Sequence, residues 1–430
     1  MKNPMENRPH QMNIHTKLKQ IISKYYTIEA FQEQEYSFFP LCIILGKDII
    51  SEKEFEKMRS NFREIGFDIT LNKPNSNELK ACGLEPEKKK SRYLIKFKAK
   101  DFSNSPKTMK KERKIQLILA IITIGLVIFS GFFYVLYLEP YYGSLYRNSP
   151  EEAIPYIVAF CIGMFSIIVV HEFGHIFFAR YHDIDTSYPF LIPGPPPLGM
   201  LGAYVKIKSD PQSRNHKFDV ALGGIIFGIL ISLFFLAVGL VLSEYIDTAA
   251  YIAIRSQYSG TSKVVEAAEI SDNLNSYNIF FLFIRDLVFP EPSYSIYYGY
   301  NLPNQILILH PLAYVGWIGL IHSGLNLIPI PLLDGGHALK AIFPGRYTRL
   351  IGLLVGGVIF FILTGRITIL VSLGCIGAMS DLNKDKNSKD VPNPTVPLTL
   401  SRKVFAMTLP LLIIMLFPLS FDNLLYGIGF

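Results

Sequence analysis

Between residues 17 and 100, apolar and polar positions alternate in short stretches. The runs Phe39-Pro-Leu-Cys-Ile-Ile-Leu45 and Tyr93-Leu-Ile-Lys-Phe-Lys-Ala99 predict strands, the second alternating apolar with basic residues. Between them, residues 52–65 carry the spacing of an amphipathic helix that ends at Gly66. A small soluble N-terminal domain, α/β or α+β, is therefore expected over residues 1–100. It holds no catalytic cluster, and a role in regulation or recognition stands beside that of a structural appendage.

From residue 115 the pattern changes. Residues 115–138 are almost uninterrupted hydrocarbon, long enough as a helix to cross an apolar core of about 30 Å at about 1.5 Å per residue. Further spans are expected at 154–180, 217–242, 305–330, 348–364, 367–382 and 403–426, two of them short, with Arg366 at their turn. The fold class is that of a polytopic α-helical membrane protein with about six to seven transmembrane helices. Its organisation reads as a basic linker at 101–114, a membrane-embedded core at 115–382, a polar linker at 383–402 and a C-terminal transmembrane segment at 403–430.

One apolar stretch cannot be a regular helix. Phe190-Leu-Ile-Pro-Gly-Pro-Pro-Pro-Leu-Gly-Met200 holds four prolines and two glycines in eleven residues. With residues 201–208 it predicts a re-entrant hairpin beside the second span, whose extended edge suits pairing with an unwound peptide, with a mainly structural interfacial loop as the alternative.

Composition agrees with this division: 50% of the 430 residues are hydrophobic and 18% charged. The net charge of +7 raises the question of nucleic acid. Much of it lies in Lys88-Lys-Lys-Ser-Arg92 and in Lys107, Lys110, Lys111, Arg113 and Lys114, and the second group stands directly before an apolar run. That placement marks the cytoplasmic end of a span, so the lipid bilayer is the expected partner and nucleic acid is not. Counting spans from there places 206–217, 340–349 and 383–389 on the same side, and 243–304 and the C-terminus outside. The expected location is the cell membrane, multi-pass, with the N-terminal domain cytoplasmic. Residues 1–15 are polar and lack the apolar core of a signal peptide, so a later segment is expected to lead insertion. Cys42, Cys82, Cys161 and Cys375 form no CxxC pair and give no thiolate metal site.

The second span carries the sharpest chemical signal, His171-Glu172-Phe173-Gly174-His175. Residues four apart share a helix face, so His171 and His175 can offer imidazoles to one metal with Glu172 alongside. Ionisable groups in a span face a protein interior or a water-filled cavity. Two nitrogen ligands and an oxygen ligand suit one catalytic zinc ion with a position left open for water. The expected third ligand is Asp334, in Asn326-Leu-Ile-Pro-Ile-Pro-Leu-Leu-Asp-Gly-Gly-His337, at the inward end of the fourth span and at the depth of the histidines. A helix cap is its alternative role, and His337 is an alternative ligand. Pro329 and Pro331 break the preceding helix, and Gly335 and Gly336 allow close approach. Glu172 is expected to take a proton from water and pass it to the amide leaving group, making the active site that of a peptidase facing the cytoplasm.

These two motifs resemble those of the site-2 protease family of intramembrane zinc metalloproteases, and the resemblance extends over about residues 115–340. Gly199-Met-Leu-Gly-Ala-Tyr204 and Phe218-Asp-Val-Ala-Leu-Gly-Gly-Ile-Ile-Phe-Gly228 are similar to family segments as well. Ile225 departs from the pattern, since relatives often carry proline there. The absence of a recognisable PDZ or CBS domain, together with the N-terminal head, is closest to the plastid and archaeal branch. The resemblance implies zinc ligation by His171, His175 and Asp334, catalysis by Glu172, and transmembrane proteins as substrates. It also implies that Asn326 positions substrate or stabilises the oxyanion, for which a helix-packing hydrogen bond is the alternative.

Gly223, Gly224 and Gly228 have the spacing of close helix packing. His310 and Trp317 are expected to be structural, and His322 to line a cavity or pack. The competing readings are a noncatalytic metal-binding scaffold or chaperone and, further off, a transporter. Glu172 argues against the first, because structural zinc needs no base. The second lacks an inverted repeat.

Overall fold

The computed structural model describes residues 8–32, 40–45, 52–72, 74, 76–85, 92–99, 106–196, 198–207, 213–259, 278–289, 305–330, 333–343, 352, 354 and 397–417. The chain divides into two compact units. One holds Met1–Lys111, Asp210–Lys217 and Asn387–Thr399, and the other holds the remainder.

In the first unit, α1 (Arg8–Ser23), β1 (Ile28–Gln32), β2 (Leu41–Leu45), α2 (Glu52–Glu64), β3 (Phe67–Asn72), α3 (Ser76–Ala81) and β4 (Arg92–Ala99) follow in order. The strands form an antiparallel sheet, β1-β2-β4-β3. The alternation in β4 sets its register: Ile95 lies opposite Leu71 and Phe97 opposite Ile69. Those side chains share a core with Phe55, Met58 and Phe62, the apolar stripe of α2. Leu94, one position out of phase, packs with Ile43 and Leu79 on the opposite face. Gly66, at φ +86°, ends α2 in the left-handed conformation that favours glycine. Arg59, fully buried on α2, forms a two-pronged ion pair with Asp68 of β3.

In the second unit, α4 (Pro106–Phe133) runs into a π-helical turn at Tyr134–Leu138 and is followed by α5 (Pro140–Asn148) and α6 (Pro150–Tyr181). Next come β5 (Phe190–Pro193), β6 (Met200–Tyr204), α7 (Arg214–Val241), β7 (Glu244–Asp247) and α8 (Thr248–Ser259). The described residues continue with α9 (Ile279–Val288), β8 (Gln305–Ile308), α10 (Pro311–Leu327), α11 (Asp334–Ile342) and α12 (Leu400–Leu416). Among them, Lys110–Leu136, Pro150–Tyr181 and Arg214–Val241 are long and apolar enough to cross a membrane, at the first three expected positions.

The run expected to span at 305–330 is divided. Strand β8 pairs with β7, and a helix of 17 residues, about 26 Å long, begins at Pro311. Proline lacks the N–H that a first helical turn leaves unpaired, so it opens α10 without loss and fixes where the strand segment stops. The expected spans at 348–364 and 367–382, apart from residues 352 and 354, lie outside the described residues, as do residues 418–426.

The expected hairpin is present, with Leu191 of β5 opposite Ala203 of β6. Leu191 and Met200 join a core that includes Val127 of α4, Phe160, Met164 and Ile167 of α6, and Val315 of α10. Helices α6 and α7 touch backbone to backbone: a Cβ on Gly174 would lie 2.3 Å from the Gly223 carbonyl oxygen. That is the close packing expected of the α7 glycines.

Candidate metal centre

His171 and His175, one turn apart on α6, present their Nε2 atoms 3.2 Å from each other. Asp334, the first residue of α11, completes the group. Its Oδ2 lies 3.1 Å from His171 Nε2 and 3.2 Å from His175 Nε2. Gly335 makes this turn possible, since a Cβ there would sit 2.0 Å from the Leu327 carbonyl oxygen at the end of α10. The Asp334 carboxylate is directed at the histidine pair, whereas His337 is exposed on α11.

The three donor atoms form a nearly equilateral triangle. A regular tetrahedron of that edge has its centre about 1.9 Å from each corner, close to the bond length of about 2.0 Å that zinc makes to imidazole nitrogen and carboxylate oxygen. The donors therefore fit one zinc ion on three corners and leave a fourth open. Helix α7 keeps the space clear: a Cβ on Gly224 would lie 2.2 Å from His175 Nε2. Glu172 is buried, and a carboxylate oxygen lies within 4.8 Å of a ring nitrogen of each histidine.

The imidazoles are held differently. His175 Nδ1 lies 2.7 Å from the Val220 carbonyl oxygen, so Nδ1 carries the donated proton and Nε2 keeps its lone pair for a metal. His171 Nδ1 is buried with no partner among the described residues. A Cβ on Gly228 would lie 2.9 Å from it and equally 2.9 Å from Ser323 Oγ.

His322 and Asn326, one turn apart on α10, stand beside the triangle. The His322 ring lies edge-on to that of His171, 5.4 Å between centroids, and the Asn326 amide approaches His322 at 3.4 Å. Gly202 of β6, at φ +146°, faces His322 Nε2 at 3.8 Å from its would-be Cβ, so the hairpin reaches the site. His310 caps α10 by accepting from the Leu312 N–H, and Trp317 packs near Tyr314. Of the two expected roles of His322, lining a cavity or packing, its place beside the triangle agrees with the first, and its i, i+4 spacing from Asn326 is the sequence signal for it. The Val220 carbonyl carried no signal, because a main-chain atom has no residue type.

Residues 159–365 match peptidase family M50. All residues of the triangle, with Glu172 and Asn326, fall inside the M50 segment, in agreement with the site-2 protease resemblance of the two motifs. The chain is 31% identical over 194 residues to "Probable zinc metalloprotease EGY1, chloroplastic" of Oryza sativa subsp. japonica, covering 45% of this chain and 28% of the relative. The Arabidopsis thaliana protein of the same name is 25% identical over 343 residues, 76% of this chain and 57% of the relative. "Probable zinc metallopeptidase EGY3, chloroplastic" of Arabidopsis thaliana is 28% identical over 205 residues, 47% and 32% of the two chains. The chain thus spans between 28% and 57% of the length of these relatives. No solved structure matches it.

Proposed function

We propose that the chain is an intramembrane zinc endopeptidase that hydrolyses peptide bonds of transmembrane proteins. The observation that carries this reading is the triangle of His171 Nε2, His175 Nε2 and Asp334 Oδ2, with edges of 3.1–3.2 Å and Glu172 beside it. His171, His175 and Asp334 are the ligands in this reading, and three ligands with a neighbouring carboxylate suit a catalytic rather than a structural zinc site.

The chemistry zinc supplies when bound is Lewis acidity toward a peptide carbonyl and a water nucleophile at neutral pH. The Glu172 carboxylate accepts the proton released as water attacks and returns it to the amide nitrogen, so that one C–N bond is exchanged for a C–O bond and a new N–H. Asn326 contributes an amide donor for a substrate carbonyl. The β5–β6 hairpin offers an edge on which an unwound segment pairs by main-chain hydrogen bonds, with Gly202 bringing that edge next to His322. Helical substrates hide the scissile carbonyl in their own hydrogen bonds, so bonds near substrate Gly or Pro are favoured.

The same reading assigns six to seven spans, a cell-membrane location and a site opening toward the cytoplasm, supported by the basic residues before α4 and by the shared depth of the two motifs. The N-terminal domain at 1–100 then stands on the cytoplasmic side in a regulatory or recognition role.

The test is cleavage of a reconstituted set of single-span substrates by wild type and Glu172→Gln. Cleavage by wild type that falls at least about hundredfold in the variant, with zinc retained, supports the peptidase. Equal processing by both proteins contradicts it. Zinc held by both with no processing of any substrate favours the noncatalytic scaffold.

A further inference from the structure

The hydrogen bond from His175 to Val220 places a burden on the start of α7, because the position of one carbonyl oxygen aims a ligand nitrogen. Val220 is fixed on two sides. Its side chain packs with Phe178, Ala179 and Ile184 at the end of α6. The residue before it, Asp219, sits in an ion cluster that joins three elements.

In that cluster Asp219 Oδ2 accepts from His182 Nε2 at 2.8 Å and from Arg402 Nη2 at 2.5 Å, while Oδ1 accepts from Arg402 Nε at 2.7 Å. His182 caps the C-terminus of α6, seven residues after His175. Arg402 lies in the first turn of α12, outside the segment that matches the family. The Asp219 and His182 side chains are 14% and 8% exposed, so water screens the pair little. A two-pronged arginine–carboxylate contact also fixes orientation, which lysine cannot reproduce.

We infer that Arg402, Asp219 and His182 form a clasp that positions His175 for the metal, by holding the second turn of α7 so that the Val220 carbonyl meets His175 Nδ1. The three are positioning residues and touch neither metal nor substrate. Through them the C-terminal helix α12 sets the strength of the metal site. The inference rests on the zinc-peptidase reading only in taking His175 as a metal ligand. Partners of metal-bound histidines change metal affinity by roughly 10–100-fold when removed, and the clasp acts one step further out, so the lower end of that range applies.

The experiment uses the 430-residue chain in detergent and measures zinc affinity by competition with a chromogenic chelator. The variants are Arg402→Gln, Arg402→Lys, Asp219→Asn, the Arg402→Gln/Asp219→Asn double and Leu409→Ala. Leu409 is buried on α12 away from the clasp and reports on packing alone. The clasp predicts zinc affinity about tenfold weaker in Arg402→Gln and in Asp219→Asn, a smaller loss in Arg402→Lys, and no further loss in the double variant. Leu409→Ala should lower the thermal midpoint and leave zinc affinity unchanged. The cobalt(II) absorption spectrum of Asp219→Asn should shift, reporting an altered ligand geometry.

Wild-type zinc affinity and an unshifted cobalt spectrum in folded Asp219→Asn would overturn the inference. So would a loss in Leu409→Ala equal to that in Arg402→Gln. Should Arg402→Gln fail to fold, Arg402→Lys and Asp219→Asn carry the same comparison. Zinc binding that survives His175→Ala undiminished would instead overturn the metal-site reading, a failure distinct from that of the clasp.

Discussion

His171 and His175 offer the same nitrogen to the same point from one helix, yet only His175 hands its second nitrogen to a main-chain carbonyl. Asp334 brings the oxygen, and its position at the first residue of α11 places a carboxylate where the helix dipole favours one. Glu172 lies next to the donors without being needed to complete the triangle. Glu172→Gln is therefore expected to bind zinc as wild type does while losing cleavage, measured by chelator competition and substrate processing on the same preparation. His322 lies outside the triangle, so His322→Ala should keep one zinc per chain, read by elemental analysis; loss of the metal would make it a ligand. The helical spacing made the convergence of the two histidines legible, and the Asp-Gly-Gly sequence pointed to a tight turn. The aim of the rings was not legible, since it depends on a Val220 carbonyl and on glycines whose missing side chains leave room.

Among the elements, α6 and α7 decide whether the donors converge. They meet at Gly174 and Gly223, where a single methyl group meets main chain rather than a movable side chain. Gly174→Ala is expected to destabilise the membrane core by about 1–3 kcal/mol and to weaken zinc binding together with it, seen in thermal melts with and without added zinc. A variant with unchanged melting and zinc content would show that the helices do not pack there. The small-residue spacing on α7 showed that it packs closely but not against what. The hairpin was legible because four prolines in an apolar run exclude a helix. The division of 305–330 into β8 and α10 was not, because a short apolar run such as Ile306-Leu-Ile308 fits a strand and a buried helix equally. His310-Pro311 was the one local signal for the break, a side-chain cap followed by proline at the first helical position. The Asp219–Arg402 contact, 183 residues apart, has no local signature.

At the scale of the whole chain, the two compact units are stabilised by different physics. The first has a small core and a buried arginine paired with a carboxylate. Burial opposes the charge on Asp68, but hydrogen bonds from Arg59 and the charges of Arg59 and Arg63 outweigh it and hold its pKa below the ordinary aspartate value. A lowered folded pKa contributes stability that is fully present above the unfolded value of about 3.9 and is lost as pH falls through the folded one. Hydrogen-exchange protection factors of the β3 and β4 amides in the full chain, with the intrinsic pH dependence of exchange divided out, should therefore fall on acidification below about pH 4. Asp68→Ala should destabilise this sheet by about 3 kcal/mol even at neutral pH, because it removes the carboxylate that pairs with the buried Arg59 charge. The second unit carries the donor triangle and most of the segment that matches peptidase family M50, and its long apolar helices and the two motifs were legible in the sequence. The most direct test of that account is zinc content per chain in wild type and Asp334→Ala, purified in parallel without added metal and checked for folding by thermal melt. The account predicts about one tightly held zinc in wild type and much weaker retention in the folded variant. Folded wild type without zinc, or a variant that holds it as tightly, would contradict the account.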